Sequence, residues 1–211
     1  MQTKFDLFLF FILCLSVIGG IWHSQFINDG YHWGFIFSNS LDLVYGKKPY
    51  SEIFLEYGFL QHLINFVVLK LFGQKIFFIQ VLTILIYALT LYLLNKIIFL
   101  ITGNKKISFY SISIIFLLYP WPTSPWPNFL AFFLITTFIY FYLKDNILNS
   151  YLAGISIFLA YISYTTIFNF IIIFYFISFF SLSLNNFYKV KSNFKFSKNI
   201  LIIFSILLIF F

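Results

Sequence analysis

The sequence has no arginine. A phosphate met by this chain must therefore be held by lysine point charges, hydroxyls or backbone amides, not by the bidentate fork of a guanidinium. Charge of either sign is scarce: 9% of the residues are charged, where a soluble domain carries about 25%. That is too little to cover a water-facing surface. Cysteine is nearly missing too. Cys14 stands alone inside an apolar run, which excludes an internal disulfide and says nothing about the redox compartment.

What is present is apolar. The chain is 62% hydrophobic and 25% aromatic. Several of its apolar runs approach or exceed the roughly 20 residues that a spanning helix needs. The expectation is an all-α, polytopic transmembrane helical protein. The formal net charge of +7 does not indicate nucleic acid, because the thirteen lysines sit mostly at the ends of apolar runs. That is the pattern of topology signals, not of a basic patch on a folded surface.

The first apolar run covers residues 7–27. Lys4 offers a weak n-region, but Gly19-Gly20-Ile21-Trp22 is a poor cleavage site, so the run reads as a retained first helix. Residues 28–74 form the one long stretch with substantial polar content. Over 31–45, Trp33, Ile36, Phe37, Leu41, Val44 and Tyr45 recur at helical spacing, with His32, Asn39 and Asp42 on the other side. Such a helix suits the membrane interface. Gly46 and Pro49 break it. A second apolar helix over 59–72, about 14 residues and roughly 21 Å long, is too short to cross comfortably and ends at Gly73.

From 76 to 211 the chain reads as further transmembrane helices. The strongest spans 76–101, with Lys96 placed to snorkel. Runs at 107–119 and 129–143 flank "PWPTSPWPN", whose Trp121 and Trp126 are expected as interfacial anchors. Runs at 148–161 and 166–184 follow, then a basic loop over 185–199. The last run, 200–211, is about 12 residues or roughly 18 Å and stops before it could span. This suggests the N-terminal portion of a longer protein, with about seven membrane segments in view. If Lys4 is cytoplasmic, Lys105, Lys106, Lys144 and the basic loop fall on the same side, and the lysine-free loops at 120–128 and 163–166 fall outside. The positive-inside rule then places 28–74 outside as well, with Lys47, Lys48, Lys70 and Lys75 as exceptions.

Groups able to act as bases concentrate in that outer segment. Four of the six acidic residues lie between 29 and 56, and all three histidines lie between 23 and 62. The plain reading is that this is simply the longest wet stretch. Against it, the other outer loops carry no charge.

The segment "NDGYHWGFIFSNSLDLVYGKKPYSEIFLEYGFLQHLINFVVLKLFG" resembles the first outer loop of GT-C-type membrane glycosyltransferases. The branch is the one related to protein O-mannosyltransferases and lipid A aminoarabinose transferase. The shared order is Asp29-Gly30 after the first helix, an amphipathic helix, a turn over 46–52, Glu56-Tyr57-Gly58 opening an apolar helix, and Leu71-Phe72-Gly73 closing it. "YLAGISIFLAYISYTTIF", residues 151–168, resembles a later membrane pair of that branch. The resemblance implies a GT-C-like fold with short interfacial helices in the first outer loop. It also implies a polyprenyl-phosphate-linked sugar donor and transfer to a lipid, glycan or protein acceptor on the extracytoplasmic face. The setting would be a bacterial cytoplasmic (inner) membrane with the N-terminus inside.

A lipid phosphate leaves without a general acid, so the main tasks are deprotonating the acceptor hydroxyl and aligning it. Asp29 is the candidate base, and a base of this kind gives inversion. Partial desolvation at the bilayer boundary would raise its pKa. Substrate-binding candidates are Glu52, Glu56, Tyr57, Lys47, Lys48 and His32. The lysines suit a lipid phosphate or plain headgroup contact, Glu52 and Glu56 could share a helical face, and His32 reads as an interfacial polar residue before a base. His23 and His62 read as structural.

The sequence selects no particular cofactor. A divalent metal is compatible with Asp29, His32, Glu52 and Glu56, but no tight ligand spacing selects an ion, and Gly30 stands where the family often has Glu. The alternatives are a transporter or channel subunit, for which no repeat or mid-membrane charge is evident, and a non-catalytic membrane scaffold.

Overall fold

Breakers and side-chain caps set the helices. The computed structural model describes residues 2–26, 32–55, 57–144 and 146–164. Among them are seven helices: α1 Gln2–His23, α2 His32–Val44, α3 Phe59–Phe72, α4 Ile76–Thr102, α5 Lys105–Leu118, α6 Pro127–Tyr142 and α7 Ile147–Ser163. The described residues hold no strand, only an isolated bridge between Pro49 and Ile53. The described residues are all-α as expected, and α3 covers the span read from the sequence. The segments expected at 166–184 and 200–211, and the basic loop between them, lie outside the described residues.

The local chemistry accounts for the ends. α4 stops at Gly103, whose φ of 64° takes the left-handed region while its N–H donates to the Phe99 carbonyl. Asn104 then caps α5, its Oδ1 accepting from Lys106 N at 2.9 Å. Asn146 does the same for α7, accepting from Asn149 N at 2.8 Å. α6 begins with Pro127 at its first turn, where a missing N–H costs nothing. α1 ends at His23, short of residue 27, and residues 24–26 form a turn in which Ser24 Oγ donates to the Ile21 carbonyl.

α4 is the hub. One cluster joins it to α1 and α5 through Leu9, Tyr87, Leu91, Ile112 and Phe116. A second joins it to α6 and α7 through Ile86, Leu130, Leu134 and Ala160, with Leu60 and Ile64 of α3 packed alongside. Buried Ala153, Ser156, Ala160 and Ser163 run along one face of α7. Small side chains there let the α6 and α7 backbones come close. At α1 the Gly19-Gly20 pair serves the same end: a Cβ on Gly20 would stand 2.9 Å from Ile84, and one on Gly19 would overlap the Trp121 indole.

Large apolar side chains line the outside as well as the core, and several polar side chains are buried with the core. The outer faces carry Leu7, Phe10, Ile18, Leu71, Leu118 and Ile147, all mostly exposed, whereas Ser16, Ser40, His62, Asn65 and Gln80 are buried. α3 shows it within a single helix: its buried face is Gln61, His62, Asn65 and Leu69, while Leu71 and Phe72 are 72% and 64% exposed. α1 and α4 are long and apolar enough to cross a membrane.

Candidate functional site

Helix direction gathers the predicted outer segments at one end of the bundle. Leu9 clusters with Leu91 and Gly20 abuts Ile84, so α1 and α4 run antiparallel. At the opposite end Lys105 Nζ pairs with Asp6 at 2.8 Å, joining the N-terminal ends of α1 and α5. The connection between α5 and α6 folds back on the C-terminal end of α1, where Trp121 lies 5.7 Å from the His23 ring. Trp126 meets Tyr57 edge-on at 5.9 Å, and Tyr57 meets Tyr164, just past α7, at 6.1 Å. Gly58 completes the join. A Cβ there would overlap the carbonyls of Ile162 and Ser163.

Most of "PWPTSPWP" packs into the end of the bundle. Pro122, Pro125 and Pro127 are fully buried, and Thr123 and Ser124 are largely so. The rigid φ of proline lets an extended stretch cross the end of the bundle at little entropic cost. Of the two tryptophans, Trp121 stays 39% exposed.

The turn after α2 brings together Lys47, Lys48 and Glu52. Lys47 Nζ pairs with Asp42 at 2.8 Å, and the Lys47 amide donates to the Asp42 carbonyl. Glu52 Oε2 accepts from the Lys48 amide at 2.6 Å, while the Glu52 amide donates back to the Lys48 carbonyl. Tyr50 takes a φ of 64° to close the loop, donating its N–H to Ile53. Two of the candidate residues therefore have structural employment: Lys47 offsets Asp42, and Glu52 closes its own turn. Lys48 is exposed. Lys70, another exception to the charge pattern, lies over the Phe66 ring at 5.6 Å.

The remaining candidates separate. His32 is the first residue of α2. Tyr57 belongs to the aromatic group with Trp126 and Tyr164, not to the turn. Asp29 and Glu56, the candidate base and a candidate substrate-binding carboxylate, lie outside the described residues. Among the described residues no group of three or more His, Cys, Asp or Glu could hold a metal ion.

The structure adds residues that sequence reasoning passed over. His62 is fully buried, with Nδ1 3.4 Å from Ser40 Oγ of α2. Burial pushes its imidazole down to about 4, so it is neutral at pH 7. Gln61 Nε2 donates to Asn65 Oδ1 at 3.1 Å, one turn along the same face. Gln61 Oε1, His62 Nε2 and Asn65 Nδ2 have no partner among the described residues, nor has Ser163 Oγ of α7. Asn39 Nδ2 donates to the Phe54 carbonyl at 3.0 Å, tying the turn over 47–55 back to α2. The signal in the sequence was the polar set Gln61, His62 and Asn65 within an otherwise apolar helix.

Compared with family models, with curated proteins and with solved structures, the chain matches none.

Proposed function

We propose that the chain is an integral membrane protein and a GT-C-type glycosyltransferase that moves a sugar from a polyprenyl-phosphate donor to an acceptor hydroxyl on the extracytoplasmic face. The ordered motif set from Asp29-Gly30 to Leu71-Phe72-Gly73 carries the reading. The membrane part is supported by the exposed apolar faces: helices that turn leucine and phenylalanine outward suit a hydrocarbon surround and would aggregate in water. It is also supported by the charge pattern, because Lys105 and the N-terminal end of α1 share one end while the lysine-free connection at 120–126 sits at the other.

In this mechanism the acceptor oxygen attacks the anomeric carbon. The bond to the phosphate oxygen breaks, polyprenyl phosphate departs as the leaving group, and the acceptor proton passes to Asp29 with inversion at carbon. Lys48, exposed at the turn after α2, would meet the lipid phosphate. Lys47 and Glu52 shape that turn. Tyr57 would contribute to the sugar side through its aromatic group.

The test uses membranes carrying the full-length protein and radiolabelled polyprenyl-phosphate sugars. The wild type should release polyprenyl phosphate, and Asp29→Asn should abolish the release while inserting normally. Transfer retained by Asp29→Asn removes that residue as the base. Absence of donor consumption by the wild type sinks the transferase reading.

An ion-coupled transporter is the weaker alternative. Among the described residues no Asp, Glu or Lys is buried, and such transporters place coupling charges inside the bundle.

A further inference from the structure

The lysines at odds with the positive-inside pattern are Lys47, Lys48, Lys70 and Lys75, and the fold gathers them. Tyr45 Oη donates to Gln74 Oε1 at 2.8 Å, which fastens the end of α2 to the joint between α3 and α4. The Tyr50 ring lies 6.5 Å from that of Phe59, the first residue of α3. Between these two fastenings the turn with Lys47 and Lys48 runs alongside α3, while Lys70 and Lys75 flank the α3 C-terminus. All four lysines are exposed.

Their charge is only partly answered from within. Asp42 pairs with Lys47, and the Glu52 carboxylate closes its own turn on the Lys48 amide. Among the described residues no carboxylate pairs with Lys70 or Lys75. Lys70 lies over the Phe66 ring, a contact that leaves its charge in place. Four lysines against two carboxylates leave this strip with a net charge of +2 among the described residues. The side chains interleaved with the charges are apolar: Tyr45, Tyr50, Phe54, Leu71 and Phe72 are from 64% to 77% exposed.

This combination selects a partner. A free anion would leave the rings and Leu71 in water, and a zwitterionic headgroup brings its own cation against the lysines. An anionic lipid surface meets both needs, because apolar side chains enter the headgroup layer while ammonium groups reach the phosphates. With no arginine in the chain the contacts are point charges, which suit a field of mobile headgroups better than one fixed phosphate. We infer that the α2–α3 strip, through Lys70 and Lys75, docks on an outer leaflet enriched in anionic glycerophospholipid. Lys47 and Lys48 add to the field. This docking accounts for the lysines that the topology pattern leaves unexplained. It rests on the membrane part of the reading above and is independent of the sugar chemistry.

The test uses the full-length protein in phosphatidylcholine nanodiscs doped with brominated phosphatidylglycerol or, to the same mole fraction, with brominated phosphatidylcholine. Phe72→Trp, exposed between Lys70 and Lys75, is the reporter, and the four native tryptophans of the wild type supply the background to subtract. Phosphatidylglycerol should quench the added indole more strongly than phosphatidylcholine does. That excess should fall about fivefold for each of Lys70→Gln and Lys75→Gln, and should weaken at high salt. Both lysines are exposed, so the variants should melt with the wild type. Lys105→Gln, at the other end of the bundle, should leave the excess unchanged. Equal quenching by the two lipids, an excess that survives the loss of both lysines, or an added indole that neither lipid quenches would each overturn the docking. An excess abolished by a small proportion of polyprenyl phosphate would overturn it too, by making the strip a donor site. Sugar transfer that fails while the excess remains removes the transferase reading alone.

Discussion

Gly58→Ala tests the packing on which the whole end of the bundle depends. Gly58 has a φ of −59°, open to any residue, so the substitution adds no backbone strain. What it adds is a methyl group facing main chain. The new Cβ would overlap the Ile162 and Ser163 carbonyl oxygens and stand 2.5 Å from the Ser163 carbonyl carbon, where ordinary contact begins at 3.4 Å, so α3 and α7 must part by more than about 1 Å. No side chain can rotate away to relieve it. Overpacking of this kind costs about 1–3 kcal/mol, only partly offset by the roughly 0.4–1 kcal/mol that alanine gains over glycine through the unfolded chain. The matched control is Gly34→Ala in α2, where nothing lies within 4 Å and a helical glycine is replaced. That change should stabilise by about 0.5–1 kcal/mol. Thermal unfolding in nanodiscs should therefore move in opposite directions for the same chemical substitution. A Gly58→Ala protein that melts at or above the wild type would refute the close α3–α7 approach.

Three further outcomes are expected. Gly19→Ala meets the Trp121 indole, which stays part-exposed and can swing aside; it should cost less than Gly58→Ala and should change the tryptophan emission. His62 titrates at about 4 when folded, against 6.5 in the unfolded chain. The unfolded state takes up the proton first, so stability should be level above about pH 6.5 and fall between there and about 4, by on the order of 3 kcal/mol in total; urea titrations of His62→Phe should lack that fall. Lys105→Gln breaks the Asp6 pair, whose side chains are 31% and 62% exposed. The loss should stay below about 1 kcal/mol and shrink with added salt.

Helix positions were legible because their punctuation is local. Gly58 and Gly73 bound α3, Gly103 and Asn104 separate α4 from α5, and Asn146 starts α7, each through chemistry that acts within a few residues. The role of Glu52 was not legible. Its spacing to Glu56 suggested a shared helical face, but Pro49 and the left-handed Tyr50 make a turn there, and the carboxylate closes it. The packing of the "PWPTSPWP" tryptophans was not legible either, because Gly19 and Tyr57 meet them only in the fold.

By itself the sequence determined the all-helical class and the alternation of lysine-rich and lysine-free connections, because apolar run length and terminal charge are properties of the chain read in order. It also contained the ordered outer-loop motif. Only the tertiary structure decided which face of each helix turns inward. In α3 the buried face is the amide and imidazole one, and no hydropathy count can say whether an amphipathic helix meets its neighbours with its polar or its apolar side. That choice depends on partners distant in sequence: Ser40 from α2, Ile162 and Ser163 from α7, and Ile86 from α4. It is what moved His62 from an incidental residue to the centre of an uncharged hydrogen-bonding face.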